Sequence, residues 1–305
     1  MALRFFNQFM AGTLLLAAGA CAPDGTSSGD GTDTGIKLSG IGDSIMQGFD
    51  AKPCGLPICF DQPEYSFAQG TDGSINSLYS RFGAPESEFV SITGAELIAG
   101  SDNGTEQAAA ICKQKVRPNR IVVLLGSNDI CNADSVAMLA TPAEFSAALT
   151  SMLVTLTSEA CGLAKASAIH VMSIPRVDLL TAVGGTKTDV DCNAVWKTYD
   201  ICHIVTAATS GKTIATVAET VRGYNRAVAD AVAQVAGAID ASRQLQLTTD
   251  YVGETPNTSF GTYEFASEDI SSLDCFHPSE KGQKKIACMA WQTWEGDGDL
   301  SSSVD

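Results

Sequence analysis

From Ile36 onward, short apolar runs alternate with longer stretches in which apolar residues recur every three or four positions. The short runs are KLSGIG (37–42), EFVSITG (88–94), RIVVLLG (120–126), AIHVMSI (168–174) and QLQLT (244–248). Runs this short, rich in Val, Ile and Leu and bounded by turn formers, predict strands. Between them lie helical periods. Pro142 opens one that carries Phe145, Leu149, Leu153 and Leu156, and Thr213 to Ser242 aligns Val217, Val221, Tyr224, Val228, Val232 and Val235 on one face. Pro278 opens the last helix, a residue suited to the first helical position. Such alternation predicts an α/β fold layered around a mostly parallel sheet of about five strands. Nothing in the composition divides 36–296, so this stretch reads as one domain with a polar tail at 297–305. The stretch 50–87 has no clear period and holds Pro, Gly, Cys and aromatic residues. A long insertion directly after the first strand is a candidate wall of a binding site.

The N-terminus departs from this pattern. Arg4 precedes an apolar run from Phe9 to Ala20, which has the length of an export signal (1–20) and is too short to span a bilayer. It ends in Ala18-Gly19-Ala20-Cys21, which resembles a bacterial lipobox with Cys21 as the lipidated residue; an ordinary signal-peptide cleavage is the alternative. The residues that follow, to Gly35, are dominated by Gly, Asp, Ser and Thr and hold no large apolar side chain, so 21–35 reads as a lipidated cysteine and a flexible tether. These features predict an exported protein, either lipid-anchored at the outer membrane or facing the periplasm, or secreted. Membrane attachment would be through the anchor alone.

Composition narrows the function. Of 305 residues, 45 % are hydrophobic, enough for a buried core and against global disorder. The net charge of −16 repels phosphate, so no nucleic-acid partner is expected. Gly25-Thr26-Ser27-Ser28-Gly29 matches G-x-S-x-G, but no strand precedes it and no helix follows, so it is read as chance. Ser210-Gly211-Lys212-Thr213 lacks the first glycine of a phosphate-binding loop, because Thr206 stands there.

Ten cysteines in an exported chain suggest disulfides. Local spacing suggests Cys54–Cys59, Cys192–Cys202, Cys275–Cys288 and a longer Cys131–Cys161 link, with Cys112 left over, although spacing does not fix connectivity. No C-x-x-C occurs and there are three histidines, so no metal is expected. Asp189, Asp191 and Asn193 have a faint calcium-loop spacing, but Ala194 replaces the turn glycine and Asp200 the final Glu.

In a parallel sheet, ligands bind beyond the carboxyl ends of the strands. Gly42-Asp43-Ser44 follows the first run, Thr93-Gly94-Ala95 the second, and Gly126-Ser127-Asn128-Asp129 the third; Asp274-Cys275-Phe276-His277 precedes the last helix. A serine, a backbone glycine, an asparagine and a D-x-x-H pair are the parts of an acyl-transfer site. These four blocks, in this order over 42–278, resemble those of the SGNH (GDSL) hydrolases. PEYSFAQG (63–70), LLGSNDIC (124–131), MSIPRVDLL (172–180) and DCFHPSEKGQ (274–283) resemble the phospholipase B-like bacterial branch. The resemblance implies a three-layer α/β/α sandwich with a flavodoxin-like sheet.

It also implies roles that the chemistry of the residues supports. Ser44 is the candidate nucleophile, His277 its base and Asp274 the acid that fixes the imidazole tautomer. The Ser44 and Gly94 N–H groups and the Asn128 amide are the candidate oxyanion hole. Asp43 and Asp129 are read as anchors of their loops, and His170 and His203 as core or surface residues. The expected activity is a cofactor-free serine carboxylic-ester hydrolase, and a monomer is expected. Its substrates would be short-chain esters, lipids or lysophospholipids. A carbohydrate acetyl esterase is the alternative, and a non-catalytic surface binding lipoprotein a further one. Met46, Phe49, Phe60, Tyr65 and Phe67 lean toward an acyl chain or belong to the core.

Overall fold

The computed structural model describes residues 35–252, 255–256 and 265–295. The expected signal, Cys21, the tether up to residue 34 and the tail 297–305 lie outside the described residues. Five parallel strands form the central sheet: β1 (Lys37–Gly42), β2 (Glu86–Ser87), β3 (Arg120–Leu124), β4 (Ala168–Val171) and β5 (Gln246–Thr249). Their spatial order is β2-β1-β3-β4-β5, the flavodoxin-like order. The order reverses between β1 and β3, and a parallel sheet opens a crevice at such a reversal. A short antiparallel pair, β6 (Tyr251–Val252) and β7 (Thr255–Pro256), follows β5.

Helices lie on both faces, and the strands are apolar on both sides as a covered parallel sheet requires. Ile121 and Val123 of β3 join a core with α2 (Gly104–Ile111), α4 (Pro142–Thr157) and α8 (Gly211–Ala238). Val122 and Leu124, one residue out of phase, join another with α1 (Leu78–Arg81) and α9 (Glu280–Trp294). Shorter helices occupy the connections: α3 (Asn128–Cys131), α5 (Leu180–Gly184), α6 (Cys192–Tyr199) and α7 (His203–Thr206). Helix starts follow local chemistry. Thr141 and Glu144 form a reciprocal capping box with Pro142 in the first turn of α4. Ser210 caps α8 through the N–H of Thr213.

Several boundaries move. The run expected as a strand at 88–94 has its regular ladder earlier, at Glu86–Ser87. The chain then stays beside β1, because Glu88, Val90 and Ile92 donate their N–H groups to the carbonyls of Leu38, Gly40 and Gly42. The last strand is shifted to Gln246–Thr249, because Gln244 adopts φ +56° at the end of the preceding turn. Pro278 lies just before the last helix, and Ser279 caps it by accepting from the Gly282 N–H. The long helix runs over 211–238, ending before Ser242.

Cysteine pairing departs most from expectation. Cys54–Cys59 is present. The other three pairs are Cys112–Cys161, Cys131–Cys202 and Cys192–Cys275, separated by 49, 71 and 83 residues. Cys192–Cys202, Cys131–Cys161 and Cys275–Cys288 are therefore incorrect, and Cys112 is not the leftover; Cys288 is not free either. The bonds join elements adjacent in space: α2 to the turn after α4, α3 to the start of α7, and α6 to the segment before α9. Sequence proximity carries no information about such neighbours.

Candidate active site

β1 ends under a close approach. A Cβ on Gly42 would lie 2.8 Å from the Met46 Cβ and 3.0 Å from the Leu124 carbonyl oxygen. The chain turns sharply there. Gln47 donates to the Asp43 carbonyl, Gly48 to Ile45 and Phe49 to Ser44. Asp43 holds the turn by accepting the Ile45 N–H at 2.9 Å, while its buried Oδ2 has no partner. Burial pushes its carboxyl up to about 7. Two side chains from distant helices brace the turn. Gln107 of α2 accepts the Gly42 N–H at 2.9 Å and donates to the Gly42 carbonyl at 3.1 Å. Gln283 of α9 donates to the Ile45 carbonyl and accepts the Phe67 N–H, each at 2.9 Å.

Ser44 thus projects at the carboxyl end of β1, and its Oγ lies 2.8 Å from His277 Nε2. His277 Nδ1 is hydrogen-bonded to Asp274 Oδ2. With the proton on Nδ1, Nε2 accepts from the serine hydroxyl. Asp274 Oδ1 accepts the N–H groups of Phe276 and His277, at 2.9 and 3.0 Å, so the carboxylate is held by its own loop. That loop is fixed in turn by the Trp196 indole N–H on the Cys275 carbonyl, 3.1 Å, and by the Cys192–Cys275 bond. Burial opposes ionisation of both partners. The facing imidazolium and the hydrogen bonds nevertheless hold Asp274 below the ordinary carboxylate range. Burial lowers His277, but the charges and hydrogen bond of Asp274, with Asp43 and Asp50 behind, leave it above its ordinary value.

Across the β1/β3 crevice, Asn128 starts α3 and donates its amide to the Ala95 carbonyl at 2.9 Å. That bond uses one of two amide hydrogens and leaves the other to bind a substrate oxygen. Asp129 accepts the N–H groups of Leu97 and Ile98, at 2.7 and 3.0 Å. Burial pushes it up to about 6 despite those bonds. Asn128 and Asp129 together tie down the loop that begins at Gly94. Gly94 itself has φ +83°, and nothing lies within 4 Å of where a Cβ would stand. Glycine is needed for the backbone conformation, and the space above it is open. Neither the Ser44 nor the Gly94 N–H has a hydrogen-bond partner among the described residues.

The structure therefore joins Ser44, His277 and Asp274 in one hydrogen-bonded chain and ties the Asn128 block to the Gly94 loop. His170 is elsewhere, buried on β4 between the hydroxyls of Thr248 and Thr293, where desolvation pushes it down to about 3. His203 lies beside Asp134 and Asp200. Asp189 pairs with Lys187 and Ser272, and Asp191 caps α6. Of the apolar candidates, Met46 and Phe67 are core residues. Lys52 lies over the Tyr65 ring at 4.5 Å. Phe49 packs on the His277 ring at 4.6 Å between centroids and meets the exposed Phe60 edge-on at 6.1 Å. The bracing glutamines and a buried Asp50 are not apparent from the sequence. Gln283 closes the DCFHPSEKGQ block, a faint signal; Gln107 and Asp50 carry none.

A narrow apolar pocket adjoins the site. Ile45, Ser127, Phe276 and Pro278, each next in sequence to Ser44, Asn128 or His277, line it with Val177 and Leu180. Its cavity volume is about 30 Å³, roughly two or three water-sized spheres.

A family model described as GDSL-like lipase/acylhydrolase matches residues 39–288. No curated protein matches the chain. Among solved structures, an extracellular lipase from Streptomyces rimosus is 16 % identical, with 85 % of this chain and 99 % of that chain covered and a TM-score of 0.45. A catalytic mutant of an acetylxylan esterase from Geobacillus stearothermophilus is 16 % identical, with 90 % and 99 % covered and a TM-score of 0.46. An aryl esterase from M. smegmatis is 10 % identical, with 83 % and 95 % covered and a TM-score of 0.48.

Proposed function

The chain belongs to the GDSL-like lipase/acylhydrolase family and is an ester-bond hydrolase, and from that premise we propose that Ser44, His277 and Asp274 cleave esters of short acyl groups through an acyl-enzyme. The hydrogen-bonded chain from Ser44 Oγ through His277 to Asp274 carries the proposal. His277 Nε2 takes the hydroxyl proton as Ser44 attacks the carbonyl carbon, and Asp274 stabilises the imidazolium that forms. The Ser44 and Gly94 N–H groups and the free Asn128 amide hydrogen receive the developing oxyanion. His277 then returns its proton to the departing alcohol. Water, activated by the same imidazole, releases the acid and restores Ser44.

The narrow pocket behind Ile45 and Phe276 supports a short acyl group over a long one. The open space over Gly94 supports a second reading, an acetyl ester of a bulky alcohol such as a sugar. Phospholipid and lysophospholipid esters would need a longer acyl groove. Four disulfides among the described residues support an exported protein, with 36–296 as its catalytic domain.

The test is hydrolysis of p-nitrophenyl esters of increasing chain length and of acetylated xylo-oligosaccharides, beside Ser44→Ala. Turnover should be greatest on the shortest acyl groups and fall by about 10⁴-fold or more in the variant. A preference for long chains would reject the short-acyl reading. Turnover that survives in Ser44→Ala would reject the serine mechanism.

A further inference from the structure

Asp50 lies behind the catalytic histidine and has no part in the relay described above. It is completely buried, a rare location for a carboxyl group unless it is paired. One oxygen accepts the Cys59 N–H at 2.5 Å, but Oδ2 is buried without a hydrogen-bond partner. An orphaned acceptor of this kind calls for an explanation, since desolvation without a partner is costly. Its ionisable neighbour is another acceptor: the Asp274 carboxyl, on the loop whose Ser271 hydroxyl donates to the Asp50 carbonyl, raises Asp50 by its charge and as a side-chain hydrogen-bond neighbour. Two carboxylates in contact are satisfied only when a proton lies between them.

The surrounding chain holds Asp50 in this place. Its N–H donates to the Phe60 carbonyl, and its carbonyl accepts the Ser271 hydroxyl at 2.7 Å. Ala51 accepts the Glu280 N–H. The strap after the nucleophile turn is thereby fastened to the segment that carries Asp274 and His277. Asp274 and His277 are the ionisable groups that face Asp50 from that segment, and Asp43 acts on the same imidazole from the nucleophile turn. Lys52 and Glu280, near in sequence, are engaged with each other at 3.1 Å.

We propose that Asp50 is a positioning residue for the relay, which, when protonated, donates its Oδ2 hydrogen to the Asp274 carboxylate and, when ionised, places a second negative charge behind His277. The proposal rests on the Ser44–His277–Asp274 reading above. The protonated form orients Asp274 without removing its charge. The proton lost on ionisation goes to solvent and leaves the imidazolium better stabilised. Burial first, and then the Asp274 charge, push the Asp50 carboxyl up to about 6 against the Cys59 hydrogen bond. The switch between the two forms therefore falls in the weakly acidic range, where His277 itself must lose its proton to act as a base.

The deciding variant is Asp50→Asn. Asp50 has φ +52°, a conformation Asn tolerates, and its amide can donate to Asp274 while its carbonyl accepts the Cys59 N–H. Its kcat at alkaline pH should stay within about threefold of wild type. The acid limb of kcat/KM should move down by about half to one pH unit, because a negative neighbour of the imidazole is gone, and should fall to a one-proton slope. Asp50→Gly keeps the positive φ but supplies neither the donor nor the second negative charge. Its kcat should drop about 10-fold with KM little changed, and fluorophosphonate labelling of Ser44 should slow in parallel. An Asp50→Asn profile that superimposes on wild type, or one that moves up in pH, overturns the proposal. So does an Asp50→Asn enzyme as slow as Asp50→Gly, since the donor would then not matter. The two readings fail separately. Wild type without Ser44-dependent turnover removes the esterase reading, whereas an unshifted limb in an active enzyme removes only the role of Asp50.

Discussion

The helix layer of α4 and α8 and the rim at the carboxyl ends of β1 and β3 are built on opposite principles. In the layer, Phe145, Leu149 and Leu153 meet Val221, Tyr224 and Val228, and every one of them is buried. Phe145 and Tyr224 stack at 4.1 Å. Shape and apolar area hold this region, and its buried polar groups are paired, the Tyr224 hydroxyl donating to the Ala140 carbonyl and Asn225 bonding the Ile174 backbone. The rim buries Asp43, Asp50, Asn128 and Asp274 in close proximity to Ser44. Asp274 is held by its own loop and by His277, and Asn128 by the distant Ala95 carbonyl, while Asp43 and Asp50 each leave one oxygen without a hydrogen-bond partner. Burial of charge is unfavourable unless compensated, so the rim stores tension that the layer does not. The difference separates a region that confers stability from one that, on the proposed mechanism, moves a proton.

If that contrast is right, substitutions in the two regions should separate rate from stability. Asn128→Ala removes one oxyanion donor and the tie to Ala95. It should lower kcat by about 10²–10³-fold, with a much smaller change in the melting midpoint. A kcat within threefold of wild type would break the assignment of Asn128 to the oxyanion hole.

Leu153→Ala in α4 should do the reverse. The side chain is fully buried, so its truncation should cost about 2–5 kcal/mol of stability. Measured well below its melting point, kcat should be unchanged. A variant of normal stability would show that the layer repacks, and one with a depressed kcat would show that the two regions are coupled.

The smallest effect is the pH dependence of stability. Asp43, Asp50 and Asp129 are raised from an ordinary 3.8 to about 7, 6 and 6. A carboxyl raised on folding contributes stability that is complete below its unfolded value and is lost as pH rises through the folded value. His277, also raised, acts in the same direction. Asp274, lowered, contributes stability that is fully present above the ordinary carboxylate range and is lost only below it, so it is constant over this interval. The melting midpoint should therefore rise by a few degrees between about pH 8 and about pH 5.5. Asp129→Asn should flatten that rise by removing one titrating group. A midpoint that falls over the same interval would contradict the picture of a strained rim.

The same contrast governs what is legible in the sequence. The periods of α4 and α8 place Phe145, Leu149, Val221 and Tyr224 correctly, because a helix face is a local property of spacing. Strand β3 is legible for a similar reason, since RIVVL is apolar at successive positions and the sheet is covered on both faces. The edge strand is not. Only Glu86–Ser87 completes a ladder with β1, so its extent is decided by a neighbour rather than by its own residues. At the site, Ser44, His277 and Asp274 were named from short blocks of chemically distinctive residues. Asp50, Gln107 and Gln283 were missed because each is an ordinary residue whose partner lies far along the chain.

The order of apolar runs and helical periods, the chemical parts of an acyl-transfer site and a cysteine content that suggests disulfides are properties of the sequence by itself, since each depends on residue type and short spacing. The tertiary structure alone decided which cysteines pair, with Cys192 reaching Cys275 across 83 residues. It also decided that Gln107 and Gln283 brace the turn at Ser44 and that Asp50 is fastened to the loop that carries Asp274. These contacts close long loops, and their partners are selected by the packing of whole helices against the sheet, which no local pattern encodes.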